Sequence, residues 1–247
     1  MSQGVWREKR EVESFEVDTR GRLKPYVLFS YMMNCAWKHA STVGFGYQDL
    51  TERDLMWVLS EFQLVIRRIP QWGEGLCLET WGKNIERFYA LRDFAVYSQE
   101  NEKLASATGA WMILDKGNYR PQRLDQLMAS FPWQVDKSEI ETRVKRIPES
   151  ASGQDRRHYE ILYSDMDANN HVNAAKYLQW IMDSYPRAVQ EQLQFEAVDM
   201  SFLSEATMDE EVAIYFEQKD KQDLNIVKRV KDSKDVCRAI IRWKDSQ

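Results

Sequence analysis

The chain is poor in cysteine and histidine, and neither residue type is arranged as a disulfide or metal framework. Cys35, Cys77 and Cys237 are odd in number, far apart and outside any CxxC pattern, and the three histidines have no paired spacing. Disulfide frameworks and structural zinc sites usually show even numbers or paired ligands. We therefore expect three reduced thiols, no disulfide, no metal and no cofactor.

Long hydrophobic runs and a strong charge of one sign are also lacking. No apolar run approaches the roughly 18 residues of a membrane-spanning helix. The first residues, MSQGVWREKREVESFEV, have no apolar segment of the signal-peptide kind. A net charge of -5 gives no general attraction to nucleic acid or anionic lipid. We expect a cytoplasmic protein without a membrane or nucleic-acid partner.

The composition that remains is typical of a folded protein. Apolar residues make up 43% of the 247 residues and charged residues 30%. In KPYVLFSYMMNCAWKHASTVGF the apolar residues recur mostly three and four apart, which predicts a buried helix. The alternating run MWVLSEFQLVIRRI, and then LCLETW, RFYALRDFAVYSQ and KLASATGAWMILD, predict antiparallel strands.

The order of these patterns repeats along the chain. Residues 134–156 are charged, contain proline and glycine, and are predicted to link a domain at 1–133 to a domain at 157–247. A constant shift that places His158 on Val12 and Tyr177 on Tyr31 aligns strand with strand and helix with helix.

A second shift, which places Val198 on Phe62, aligns VDMSFLSEATMDEEVAIYF with FQLVIRRIPQWGEGLCLET and implies that the second copy has a connection shorter by ten. In the first alignment, Gly21, Leu23 and Pro25 of the first copy stand where the second has polar residues. One copy alone then has catalytic chemistry, which suggests that the other shapes a pocket.

The polar stretch YSDMDANNHVNAAKYLQW allows several interpretations. Asp165, Asp167 and Asn169 match the first ligand positions of a calcium-binding loop. The sixth position, which requires glycine, is Asn170, and the twelfth, which requires glutamate, is Lys176. A calcium loop is therefore disfavoured.

A helix cap and a catalytic group both stay open for the same stretch. Asp and Asn before an apolar helix often bind its first amide groups. On an extended chain, however, Asp167, Asn169 and His171 would share one face. An imidazole with a pKa near 6.5 beside a carboxylate is suited to proton transfer at neutral pH.

The string DMDANNHVNAAKYLQWIMDS resembles the signature D-x-N-x-H-V-N-x-x-K-Y-x-x-W of the acyl-acyl carrier protein thioesterases of bacteria and plant plastids. The stretches WVLSEFQLVIRRIPQWGEGLCLETW, RDFAVYSQENEKLASATGAWMILD and RPQRL are similar as well, so the resemblance covers about residues 5–216. It implies an α+β fold of two tandem hotdog domains, each an antiparallel sheet wrapped around a long central helix.

The resemblance also implies the site residues. Asp167, Asn169 and His171 match the family's catalytic Asp, Asn and His, and Glu205 matches a glutamate on a later strand. Plant members have a cysteine at the next position, where this chain has Ala206, so water must attack the thioester. His171 and Glu205 would activate or position that water, Asn169 would orient it or polarise the carbonyl, and Asp167 would hold its neighbours in place.

The expected activity is hydrolysis of fatty acyl-acyl carrier protein to free fatty acid, which ends fatty acid synthesis. Its partner is acyl carrier protein with the acyl-phosphopantetheine arm, and exposed sheet edges could also pair in a homodimer. The alternative is a catalytically silent acyl-binding or regulatory hotdog module. We expect the first domain to form the acyl-chain pocket from its bulky side chains Tyr31, Met32, Met33, Trp37, Trp57 and Leu59.

Overall fold

The computed structural model describes residues 4–141, 146–149, 153–219 and 222–245. The chain forms two compact units, Met1–Arg143 and Val144–Gln247, called unit 1 and unit 2 below. Within the described ranges no helix is long and apolar enough to cross a bilayer.

Unit 1 is a five-stranded antiparallel sheet with one long helix against it. Its strands lie in the order β1-β3-β4-β5-β2. The strands are β1 (Trp6–Glu11), β2 (Leu55–Ile66), β3 (Gly75–Glu86), β4 (Tyr89–Ser98) and β5 (Lys103–Asp115), and the helices are α1 (Pro25–Thr42), α2 (Tyr47–Thr51) and α3 (Leu124–Leu127).

The long helix of unit 1 begins and ends where its sequence requires. Pro25 occupies the first helical position, where its missing N–H has no partner to lose. The chain leaves the helix at Gly44, whose φ of 78° lies in the left-handed region that glycine adopts without strain. Phe29 on α1 stacks on Phe62 of β2 with ring centres 4.2 Å apart, and both are fully buried. This contact packs the helix against the sheet.

Unit 2 repeats the same arrangement with a shorter main helix, and its strand order is β7-β10-β9-β8-β6. Asn173 caps the long helix by accepting a hydrogen bond from the Ala175 amide, and Leu178 and Ile181 bury the inner face. The strands are β6 (Gln154–Glu160), β7 (Leu193–Phe202), β8 (Glu211–Lys219), β9 (Gln222–Arg229) and β10 (Asp235–Asp245), and the helices are α4 (Ala174–Ser184) and α5 (Arg187–Gln192).

The two units confirm the predicted fold class, because each is an antiparallel sheet packed against one long helix with equivalent strands in equivalent places. The first predicted alignment of the repeat, with His158 on Val12, is wrong, however. The isolated bridge between Val17 and Leu23 recurs in unit 2 between Met166 and Val172, which places Met166 on Val17. The predicted alignment is off by three positions, close to one helical turn, so the apolar face of the helix looked the same in both alignments.

The second predicted alignment, with Val198 on Phe62, agrees with the hydrogen bonds that attach each helix-entry loop to its sheet. The Leu23 amide donates to the Pro70 carbonyl in unit 1, and the Val172 amide donates to the Ala206 carbonyl in unit 2. With the first alignment corrected, the connection between the two aligned stretches of unit 2 is shorter than that of unit 1 by three more positions than the ten predicted.

The corrected alignment also changes which residues of unit 1 are equivalent to Asp167, Asn169 and His171 of unit 2. They are not Gly21, Leu23 and Pro25 but the charged Asp18, Arg20 and Arg22. The first copy therefore has charged chemistry of its own at this loop.

The predicted linker 134–156 is structured at both ends. The Trp81 indole donates a hydrogen bond to the Lys137 carbonyl at 3.0 Å, and the Lys137 ammonium lies 3.8 Å from the Trp81 ring centre. The first part of the segment therefore packs on unit 1. At the other end, β6 already begins at Gln154.

Candidate active site

The loop that enters α4 is a tight turn rather than the extended chain expected from alternation. The Asp167 amide donates to the His171 carbonyl at 2.8 Å, and the Asn170 amide donates to the Asp167 carbonyl at 3.0 Å. Asn170 takes up the reversal with a φ of 61°, a conformation that Asn tolerates better than most residues. The turn, not strand alternation, brings Asp167 and His171 together.

The Asp167 carboxylate holds this turn in shape. Its Oδ1 accepts hydrogen bonds from the amides of Asn169, at 2.8 Å, and His171, at 3.3 Å. Such Asx-type bonds fix the local backbone and leave the neighbouring side chains to point away. Asp167 therefore bonds to the backbone of the other two residues, and these two hydrogen bonds do not involve the imidazole ring.

The imidazole of His171 is paired instead with Glu205, which lies three residues beyond the end of β7. His171 Nε2 is 3.1 Å from Glu205 Oε2, with the two side chains 21% and 36% exposed. Hydrogen bonding to Glu205 raises the pKa of His171, and the nearby charge of Asp167 acts in the same direction. Partial burial opposes this shift. The Glu205 carboxylate therefore favours the protonated form of the imidazole.

Arg229 on β9 fixes the backbone that carries Glu205, and sequence reasoning missed it. Its Nη1 donates to the Glu205 carbonyl at 2.8 Å, while its Nη2 lies 2.7 Å from an Asp232 carboxylate oxygen. No local pattern announces this contact, because the two residues are 24 positions apart. The guanidinium thereby ties the Glu205 loop to the β9–β10 turn.

Asn169 lies on the same turn and is half-buried. Among the described residues its side-chain amide has no hydrogen-bond partner, although its backbone amide is bonded to Asp167. An amide in this state can donate to a substrate carbonyl or a water without first breaking a bond within the protein.

The acidic residues that suggested a calcium loop are engaged within the protein. Asp165 accepts a hydrogen bond from the Leu162 amide at 3.0 Å, and its other oxygen lies 3.1 Å from the Lys176 ammonium. In the part of the chain that the structure describes, no three His, Cys, Asp or Glu side chains converge as metal ligands. Asp165 is a structural residue of the turn.

The equivalent loop of unit 1 keeps the turn but has different chemistry. Asp18 Oδ1 accepts from the amides of Arg20 and Arg22, at 2.9 and 3.0 Å, as Asp167 does in unit 2. Arg22 then returns its guanidinium to the Asp18 carboxylate at 2.7 Å. The position of Glu205 is occupied by Ile69, which is 5% exposed. Unit 1 thus carries an ion pair and an apolar residue where unit 2 carries an acid–base pair.

The three thiols are not arranged as nucleophiles. Cys35 and Cys237 are buried, and burial raises the pKa of Cys35 to about 12 and raises that of Cys237 as well. A thiol must ionise to act as a nucleophile, so both are poorly reactive. Cys77 is partly exposed but belongs to β3 of unit 1.

Unit 1 contains an apolar pocket between α1 and the sheet, with a cavity volume of about 50 Å³ and an opening to solvent. Met33, Trp37 and Trp57, expected from sequence, line this pocket, whereas Tyr31 and Met32 are buried in the core. Further lining residues that sequence reasoning did not assign to the pocket include Trp111, Met128, Phe131 and Trp133.

The fold defines this chain as a protein of two consecutive hotdog domains, with the His171–Glu205 pair in the second. The family model "Acyl-ACP thioesterase N-terminal domain" matches residues 3–131, and the model "Acyl-ACP thioesterase C-terminal domain" matches residues 149–245. The chain therefore belongs to the acyl-ACP thioesterase family, which confirms the resemblance of its sequence.

Relatives and solved structures agree with this assignment. A palmitoyl-acyl carrier protein thioesterase of Gossypium hirsutum chloroplasts is 24% identical over 97% of this chain and 64% of its own length. A chloroplastic acyl-[acyl-carrier-protein] hydrolase of Cuphea viscosissima is 26% identical over 76% of this chain and 48% of its own length. The chain thus spans about half to two thirds of these relatives.

Among solved structures, an acyl-ACP thioesterase from Bacteroides thetaiotaomicron superposes with a TM-score of 0.89 and 26% identity, covering 99% of this chain and 100% of the other. The 12:0-ACP thioesterase from Umbellularia californica shares the fold, with a TM-score of 0.84 and 21% identity over 98% of both chains.

Proposed function

We propose that this protein hydrolyses the thioester of fatty acyl-acyl carrier protein, releasing a fatty acid and the carrier-protein thiol. The observation that carries the proposal is the 3.1 Å pair of His171 Nε2 and Glu205 Oε2 beside the Asp167 turn. Membership of the acyl-ACP thioesterase family supports the same reaction.

The reaction follows from the placement of these groups. His171, with Glu205 beside it, removes a proton from water as its oxygen attacks the thioester carbon. Negative charge then develops on the carbonyl oxygen, and the side-chain amide of Asn169 donates a hydrogen bond to it. The C–S bond breaks as the proton passes from the imidazolium to the leaving thiolate. Asp167 positions the turn and does not touch the substrate.

The division of labour between the units is part of the proposal. Unit 2 carries the acid–base pair, and the apolar pocket of unit 1 receives the acyl chain, with Met33, Trp37 and Trp57 in its wall. The partner is acyl carrier protein, whose phosphopantetheine arm presents the thioester. Cytoplasmic location and homodimer formation stay predictions from the sequence.

Thiol release by the purified protein tests the proposal. Acyl carrier protein loaded with saturated chains of different lengths is supplied, and release of its thiol is followed by a chromogenic disulfide. Turnover on at least one chain length is expected. If no loaded carrier protein is hydrolysed while a fatty acyl chain still binds to the protein, the protein is the catalytically silent acyl-binding module instead.

A further inference from the structure

One lining residue of the unit 1 pocket is charged. Arg92 on β4 stands among Trp, Phe, Met, Leu, Ala and Gly residues, and it is 8% exposed. Its guanidinium carbon lies 5.8 Å from the ring centre of Phe131, which is itself part of the pocket wall. A cation is therefore built into an otherwise apolar cavity.

Both hydrogen-bonding neighbours of Arg92 are residues without a negative charge. Arg92 Nη1 lies 3.0 Å from His39 Nδ1 and 3.2 Å from Thr80 Oγ1, and both neighbours are buried. Within the described ranges no carboxylate forms an ion pair with Arg92. The carboxylate of the next residue, Asp93, is engaged by the Glu139 amide at 2.7 Å.

Burial of this cation without an anion is unfavourable in itself. The lack of solvent lowers the pKa of Arg92 to about 10, so the group stays protonated at neutral pH. Removing a charge from water is a large part of the cost of any buried ion pair. In this pocket the guanidinium is already removed from water before a ligand binds. A ligand carboxylate can therefore accept charge-assisted hydrogen bonds from the remaining N–H groups of Arg92.

We propose that the unit 1 pocket binds an alkyl chain whose buried end is a carboxylate, with the Arg92 guanidinium as its counter-ion. Two sources share this chemistry. One is a free fatty acid that enters carboxylate first, and the other is an acyl group with a second carboxylate at its far end. The second source rests on the proposed thioester hydrolysis, whereas the first is independent of it.

Calorimetric titration of the whole chain with dodecanoate below its micellar concentration, and with 1-dodecanol below its solubility limit, tests the site. The wild type should bind dodecanoate at least tenfold more tightly than the uncharged alcohol. Arg92→Met should abolish this preference and leave dodecanol affinity within about twofold. Exposed Arg53 provides the matched control, because Arg53→Met removes the same charge from unit 1 outside the pocket.

Equal affinity for the two ligands in the wild type would overturn the proposal, as would a tenfold preference retained in Arg92→Met. If Arg92→Met does not fold, Arg92→Lys should keep the preference, and the wild-type comparison still decides.

Hydrolysis of dodecanoyl and dodecanedioyl monothioesters of acyl carrier protein then distinguishes the two sources of the carboxylate, the free fatty acid and the dicarboxylic acyl group. A lower KM for the dicarboxylic chain indicates the second source, whereas inhibition by dodecanoate with no such preference indicates the first. If neither thioester is hydrolysed, the proposed function fails while the titration still judges the pocket.

Discussion

Arg22 and His171 occupy equivalent places in the two units, since each donates its backbone amide to the carboxylate of an aspartate four residues earlier, at 3.0 and 3.3 Å. The backbone of the turn is therefore shared, and the side chains differ. This equivalence supplies two variants that break the same pair of backbone bonds with and without the acid–base pair nearby, although Asp18→Ala also removes the ion pair to Arg22.

Asp167→Ala and Asp18→Ala form the first matched pair. Each removes the acceptor of two backbone amides, which should lower the free energy of unfolding by about 1 to 3 kcal/mol. Asp167→Ala should also lower kcat by about a hundredfold, because misplacing a catalytic group by about 1 Å has an effect of that size. Chemical denaturation and thioester hydrolysis measure the two effects. A comparable loss of kcat in Asp18→Ala would refute the assignment of catalysis to unit 2.

His171→Ala should lower kcat by at least about a hundredfold, the usual effect of losing a general acid or base. His158 is the control, because it is exposed and paired with Asp155 and Glu211, both at 2.8 Å, on the surface of unit 2. His158→Ala should retain most of the activity. Near-normal turnover in a folded His171→Ala protein would remove the site assignment.

The pH dependence of kcat/KM should report the His171–Glu205 pair. Because His171 must be neutral to accept a proton, and its pKa is raised, the acid limb should lie above the ordinary histidine pKa of about 6.5. Glu205→Gln removes the main cause of the raised pKa, so the limb should move to lower pH. An unchanged limb in that variant would show that another group titrates.

The same pair predicts a pH-dependent stability difference. A raised pKa in the folded state stabilises the protein fully below about pH 6.5, and this contribution is lost as the pH rises through the folded-state pKa. The unfolding free energies of wild type and Glu205→Gln should therefore differ more at pH 6 than at pH 9. Denaturant titration at the two pH values measures this difference.

Met33→Ala should enlarge the unit 1 pocket and move the preferred acyl chain to greater length, since apolar pockets discriminate by about 1 to 3 kcal/mol per methylene. Trp57→Phe should act in the same direction. The control is Met182→Ala on α4, because the corrected alignment makes Met182 the unit 2 equivalent of Met33. A change in the length profile with Met182→Ala and none with Met33→Ala would reverse the proposed division of labour.

Joint replacement of Cys35, Cys77 and Cys237 by alanine should leave kcat within a few fold of the wild type. Two of the thiols are buried with raised pKa values, and none of the three is part of the His171 site. The variant is expected to lose stability, because buried side chains are shortened. Activity should be measured well below its melting temperature. Complete inactivity of the folded triple variant would point to a thiol mechanism.

The fold class could be predicted because both the apolar periodicity of the helices and strands and a specific motif can be read from one sequence. Sequence reasoning missed the true repeat register, because a slip of three positions preserves the face of a helix. It also placed Asp167, Asn169 and His171 on an extended segment. The turn that joins them depends on Asn170 in a left-handed conformation, and alternation of side chains does not signal this.

Contacts between distant residues were beyond the reach of sequence patterns. Arg229 supports Glu205 from a strand 24 residues away, and Arg92 meets His39 across 53 residues. Neither contact leaves a local trace, since a charged residue on a strand is usually solvated. The pocket residues were partly predictable, because bulky apolar side chains on one helix face indicate packing but not whether a space remains.

The duplicated aspartate turn separates architecture from chemistry. Its backbone bonds are complete in unit 1 although arginines stand two and four positions after the aspartate, so the shape does not depend on an imidazole or an amide side chain. A designer could therefore treat unit 1 as a blank copy of the site. Installing the unit 2 side chains at Arg20, Arg22 and Ile69 would change two residues on a turn that already has the required path and one residue in the segment between β2 and β3.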